Sequence, residues 1–142
     1  FHLRGSAGLP FKTLFVSFPP GSATGTEFRR SLAPPGSTQL VERPDAAEAR
    51  LEGLEEKHEK EIVGFSSIGR PREYQLRLLL RFRLLDTGGE ELIPPTDLNL
   101  YRDITTTDTQ YVAKEQEELL LYRDMQRDLV QQLLRRLAAV RR

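Results

Sequence analysis

The stretch Tyr74–Leu85 (YQLRLLLRFRLL) constrains this chain more than any other. Tyr74, Leu76, Leu78, Leu80, Phe82 and Leu84 recur at every second position, and Gln75, Arg77, Arg81 and Arg83 lie between them. Side chains of a strand point alternately to its two faces, so this is a long strand with one face for a core and one cationic face. Leu79 and Leu85 are exceptions on the polar side. Asp86-Thr87-Gly88-Gly89 follows. Glycines there accept positive φ, so a hairpin is expected. The returning strand is expected over about Leu92–Thr107, with Pro94 and Pro95 near its start, where a missing N–H does least harm.

Other segments build outward from this hairpin. Phe11–Phe18 (FKTLFVSF) is rich in aromatic and β-branched residues and stops at Pro19-Pro20-Gly21, which predicts a strand. Thr24 and Glu27 match a capping box, and Phe28 and Leu32 then share one face of a short helix. Pro34-Pro35-Gly36 ends it, and Ala33–Thr38 is expected to be a loop inside the domain. Pro44–Glu61 is densely charged, yet Ala47, Ala49 and Leu51 alternate with Glu48, Arg50 and Glu52 as in a strand. Its Ala, Glu, Leu and Lys content also suits a helix, and Gly53 weakens both readings. A long helix is expected over about Thr109–Val140, with Leu119, Tyr122, Gln126, Leu129, Val130, Leu133 and Leu137 on one face. At ~1.5 Å per residue it runs on the order of 45 Å, more than a compact domain needs, so part of it is free to project or meet a partner. The expected architecture is α/β (α+β): one domain over residues 1–142, with two helices packed on one face of a four-stranded mixed sheet.

Composition narrows the chemistry. Cysteine is absent, which excludes disulfides, zinc–thiolate sites and cysteine nucleophiles. Apolar runs reach four residues, as in Leu119–Tyr122, against the roughly 20 that a spanning helix needs. Formal net charge is zero, and no platform of basic and aromatic residues appears, so no nucleic-acid partner is expected. His58 sits among Glu55, Glu56, Glu59 and Glu61, but one histidine in a charge run is far more often a solvated face than a metal site. Ser66 and Ser67 lack the surroundings of a nucleophile elbow, and no phosphate-binding loop or paired-histidine motif occurs. Neither enzymatic activity nor a metal or cofactor is expected.

Charge is segregated along the chain. Glu42–Glu61 carries eight acids and four bases, whereas Arg70–Arg83 carries five arginines and one glutamate. Pairing of opposite charges between neighbouring strands is the simpler reading. The sharper one is a ladder of Arg77, Arg81 and Arg83 on an open face, able to grip phosphate or carboxylate in a forked geometry.

Several short stretches, in order along the chain, resemble one family. These are Phe1-His2-Leu3-Arg4-Gly5, then Arg72-Glu73-Tyr74-Gln75-Leu76, then Val112-Ala113-Lys114-Glu115. Tyr122-Arg123-Asp124-Met125 and Leu133-Leu134-Arg135-Arg136-Leu137 complete the set. Together they are similar to LptE, the lipopolysaccharide-assembly lipoproteins, and the resemblance favours the strand reading of Pro44–Glu61. It implies a lipid-modified cysteine just upstream of Phe1 and a periplasmic position at the outer membrane. An LptD-like β-barrel, plugged and helped to assemble, and lipopolysaccharide are the implied partners. The family's lipopolysaccharide-binding lysine falls on Lys114. Its companion loop arginine falls near Ser66, so Arg70 or Arg72 would have to substitute. The alternative function is a free-standing periplasmic lipoprotein that binds an acidic glycolipid or cell-wall fragment.

Overall fold

The computed structural model describes residues 9–34, 38–105 and 111–140, apart from the side chains of Pro71 and of residues 111–115. The opening Phe1–Gly5, the expected strand end at Thr107 and the expected helix start at Thr109 lie outside these residues. In chain order come β1 (Thr13–Ser17), α1 (Ala23–Ser31), β2 (Gln39–Val41), β3 (Ala49–Phe65), β4 (Pro71–Asp86), β5 (Glu91–Thr105) and α2 (Tyr111–Ala138), with one 3-10 turn at Pro44–Ala46. The sheet is mixed and has five strands, in the order β2-β1-β3-β4-β5, not the expected four. The additional strand is β2, which pairs parallel to β1 through Thr13–Gln39, Leu14–Leu40 and Phe15–Val41. Three residues are too few to display an alternating pattern, so it was hidden behind the Pro-Gly-Ser loop. The buried Thr38 hydroxyl donates to the Phe11 carbonyl at 2.9 Å and fixes its start.

The alternation in Tyr74–Leu85 becomes β4. Leu76, Leu78, Leu80, Phe82 and Leu84 are all buried in one core. Leu14 of β1, Ala49 and Leu51 of β3, and Leu98, Leu100 and Ile104 of β5 join them. Phe28 and Leu32 of and beside α1, and Met125, Leu129, Val130, Leu133, Leu134 and Leu137 of α2, close the core from the helix side. The expected α2 face needs correction. Leu119 is 55% exposed and Gln126 is only partly buried, while Met125 and Leu134 take the core positions. The reason is that Glu118 and Tyr122, not Leu119, meet β3 in the first part of α2, while Leu121 and Tyr122 pack against the edge of the core.

Helix α1 also starts differently from the expected capping box. Ser22 is the N-cap, and its hydroxyl accepts from the Gly25 N–H at 2.8 Å. The Pro19-Pro20-Gly21 turn brings the helix start forward to Ser22. Thr24 Oγ1 instead donates to Glu56 at 3.0 Å, and Glu27 pairs with Arg30. Glu56 also accepts from the Ser22 hydroxyl, placing a carboxylate at the positive end of the α1 dipole.

A bulge between Gly53 and Glu55 divides β3. Before it, Ala49, Leu51 and Gly53 oppose Asp86, Leu84 and Phe82. After it, Glu56, His58, Lys60 and Ile62 oppose Leu80, Leu78, Leu76 and Tyr74, so they take over the helix-facing side. Gly53 is required by packing. A Cβ there would lie 2.6 Å from the Phe18 ring, and the same ring meets Gly25 from the other side, where a Cβ would approach to 2.9 Å. Phe18 therefore cannot yield. Gly53→Ala is expected to cost about 1–3 kcal/mol in urea denaturation, the range for overpacking a filled site. Phe82→Ala, emptying the centre of the core, is expected to cost about 3–5 kcal/mol in the same measurement.

Candidate functional site

The face of the sheet away from the helices is a charged lattice. Because β4 lies between β3 and β5, each of its open-face arginines has neighbours on both sides. Arg83 reaches Glu52 at 2.7 Å and Glu91 at 3.7 Å. Arg81 reaches Asp97 at 2.8 Å and Glu55 at 3.3 Å. Arg77 reaches Glu59 at 3.6 Å and Glu61 at 3.8 Å, and its guanidinium lies over the Tyr101 ring. The hydrogen bond from Arg81 holds the Asp97 carboxyl below the usual carboxylate range. Arg77, Arg81 and Arg83 therefore form the expected ladder, but every rung is matched by acids of the adjacent strands. Exposed pairs of this kind contribute little stability each, although they fix register and leave the face without free cations of the ladder.

On the helix side, the half of β3 beyond the bulge forms a polar seam with α2. Lys60 Nζ meets Glu118 at 2.9 Å and lies over the Tyr74 ring. The His58 ring stacks on Tyr122, whose hydroxyl donates to the Glu59 carbonyl at 3.2 Å. Burial, with the Glu118 charge, raises the Tyr122 hydroxyl above its ordinary pKa. His58 is thus a packing residue in the seam, beside Glu56 at 3.4 Å.

Beyond the seam, β3 and β4 end in a hairpin that differs from the rest of the surface. Ile62, Val63, Phe65 and Ile68 are 47%, 52%, 63% and 70% exposed. Two further register shifts, at Ile62/Gly64 and Gly64/Phe65, twist the tip. Its turn is closed by the Ser66 N–H donating to the Arg70 carbonyl at 2.7 Å and by Gly69 at φ +81. Ser66 Oγ accepts from the Arg70 N–H, so Ser66 serves the turn. Arg70 and Arg72 flank this apolar cluster, both exposed, and among the described residues neither has an acid within ion-pair distance. The first turn of α2, which contains Lys114, begins at the same end, one turn before Glu118; the Lys114 side chain lies outside the described residues.

The structure thus separates the six expected site residues. Arg70, Arg72 and the backbone of Lys114 gather at the tip end, and Arg77, Arg81 and Arg83 sit in the neutralised lattice. Sequence reasoning missed the exposed apolar tip. The signal was present in Ile62-Val63-Gly64-Phe65-Ser66-Ser67-Ile68, an apolar run with no charge, between two densely charged segments.

This combination of a short βαβ start, a long antiparallel hairpin sheet and a long closing helix is shared with bacterial lipoprotein domains. An uncharacterized lipoprotein B from Nitrosomonas europaea is 35% identical with a TM-score of 0.84, over 98% of this chain and 90% of that one. A minor lipoprotein from Acinetobacter baumannii is 26% identical with a TM-score of 0.73, over 92% and 93%. The rare lipoprotein B of Shewanella oneidensis has the same fold, at 20% identity and a TM-score of 0.76, over 89% and 94%. A comparison with curated proteins gives no significant match. The model of the family described as LptE, lipopolysaccharide-assembly, matches residues 11–137. The chain belongs to the LptE family.

The polar seam has a testable pH signature. A tyrosine whose pKa is raised on folding favours the folded state fully below its unfolded value, near 10, and loses that contribution as pH rises through the raised folded value. Melting temperature measured across alkaline pH is expected to fall less steeply for Tyr122→Phe than for the parent. At neutral pH the substitution is expected to cost about 0.5–1.5 kcal/mol, for the hydrogen bond to Glu59.

Proposed function

We propose that this chain is the lipid-anchored subunit of an outer-membrane lipopolysaccharide translocon, seated in an LptD-like β-barrel that it plugs and helps assemble. In this reading it binds lipopolysaccharide at the tip end during delivery to the outer leaflet, and performs no catalytic step. Its anchor is a lipidated cysteine upstream of Phe1, which places it on the periplasmic side of the membrane. Family membership supports the assembly role. The observation that carries the binding site is the tip itself, where exposed apolar side chains adjoin two arginines that have no acidic partner among the described residues. Lipid A is an anionic amphiphile, and forked guanidinium contacts to phosphate beside apolar surface match that chemistry. Lys114, in the first turn of α2, is assigned to the same site. A cation there opposes the helix dipole, a cost that binding a phosphate offsets. Arg77, Arg81 and Arg83 are secondary candidates, since a ligand phosphate would have to displace their carboxylate partners.

Lys114→Glu, Arg70→Glu and Arg72→Glu are each expected to weaken lipopolysaccharide binding on the order of tenfold to a hundredfold, as for loss of a charged hydrogen bond. Lys57→Glu, on the open face, is expected to change it little. Binding is measured at two salt concentrations, with thermal melts alongside. Parent-like binding by all three variants at unchanged melting temperature would reject the tip site. Co-purification of the anchored chain with a large β-barrel tests the partner, and its absence would favour a free-standing lipoprotein.

A further inference from the structure

The opposite end of the molecule has its own open cleft, of about 650 Å³, between the start of β5 and the last turns of α2. Leu92, Ile93, Ala139 and Val140 supply its apolar wall, and Arg135 and Arg136 supply two cations. Both arginines are exposed, and among the described residues no acid lines the cleft and neither arginine has an ion-pair partner. Arg141 and Arg142 follow in the sequence. Cations in a last helical turn are favourable toward the helix dipole. That effect accounts for the two arginines but not for the apolar wall left half-exposed beside them.

The register of the sheet locates this cleft relative to the chain's entry into the fold. Ile93 pairs with Leu84, Leu84 with Leu51, and Leu51 with Val16. One row further out, Ala49 pairs with Leu14, and Leu9 and Phe11 lie beyond. The cleft and the point where the chain enters the fold are therefore at one end. From the Leu51 row to Phe65 the sheet extends on the order of 45 Å at ~3.3 Å per residue, so the cleft and the apolar tip are separate sites.

We propose that this cleft seats the phosphate headgroup of an anionic phospholipid in the membrane leaflet that carries the chain's own anchor. The proposal rests on the anchored-lipoprotein reading for its orientation and is independent of the lipopolysaccharide site. Two guanidiniums match a phosphate, and the apolar wall meets the boundary between headgroup and acyl chain. The carbonyl end of α2 offers no N–H cradle for an enclosed anion. Binding through long side chains at an open surface fits a membrane interface better than a soluble ligand. The anchor holds the chain on the bilayer, and the cleft would orient its base against the headgroups.

The test is sedimentation of the purified 142-residue chain with vesicles of phosphatidylcholine alone or mixed with phosphatidylglycerol. The expected result is salt-sensitive association with the anionic vesicles only. The double variant R135Q/R136Q is expected to lose on the order of thirtyfold in vesicle affinity, roughly fivefold per cation removed. R135K/R136K keeps the charge and is expected to retain most of the binding, which separates the cleft from any effect on folding. K57E, on the open face and in neither end site, is expected to bind anionic vesicles like the parent. The proposal is overturned by equal binding to both vesicle types, or by no binding to either. It is also overturned if R135Q/R136Q binds like the parent, or if the lysine variant, melting normally, loses as much as the glutamine variant. Competition by glycerophosphate without vesicle association would equally reject it.

Discussion

Burial of one side of β4 is the contact on which the rest of this structure depends. Leu76, Leu78, Leu80, Phe82 and Leu84 are the row against which both helices close, and β4 is also the centre of the antiparallel hairpin sheet. A row of five large side chains, each contributing about 1.5–3 kcal/mol on leaving water, outweighs any single contribution from the surface ion pairs. Remove that row and α1 loses the base of Phe28, α2 loses the base of Leu129, Leu133 and Leu137, and β3 keeps only a polar edge. The arginines on the reverse side follow from the same alternation. A strand that must bury every second residue has every other residue free to carry charge.

Much of this could be read from the sequence because it rests on local periodicity. The strand Tyr74–Leu85 and the closing helix carry patterns longer than four alternations or two turns, the turn at Asp86–Gly89 carries local turn chemistry, and the return strand follows from that turn. What escaped was set by distant partners. β2 is a strand only because β1 offers an edge to Gln39–Val41. Thr24 lies inside the helix and gives its hydroxyl to Glu56, distant in sequence, while Ser22 is the cap. Leu119 sits on the expected helical stripe yet stays exposed, because Glu118 and Tyr122 meet the polar half of β3 and Leu121 meets the core. At the site, the cationic residues were legible as residue types. Which of them were matched by acids was not, because that depends on the register between β3, β4 and β5.

The zero net charge of the chain hides a division between middle and ends. Along the open face, acids of β3 and β5 match the arginines of β4 row by row. Arg70 and Arg72 at one end, and Arg135 and Arg136 at the other, lack such partners among the described residues. A central surface with its charges already paired gives little long-range attraction and little penalty on meeting a polar wall, whereas unmatched cations remain available for anions. Each end also combines its cations with exposed or half-exposed apolar side chains, the surface chemistry of an interface between water and lipid.

The bulge at Leu54 has a consequence for how such a chain can change over time. Odd-numbered residues of β3 face the helices before it, and even-numbered residues face them after it. Leu54 is the extra residue, so deleting it would leave Glu55 opposite Arg81 and Glu56 opposite Leu80 and remove only the bulge. One residue inserted after Glu56 has no such outlet. It would invert the strand beyond that point, sending Lys57, Glu59 and Glu61 toward α2 and turning His58 and Lys60 outward, and the Tyr122 stack and the acid partners of Arg77 would be lost together. Length variation among descendants of this chain is therefore expected to accumulate in the turns and at the bulge and to spare the strand beyond it, where the count of residues matters even if their identities drift.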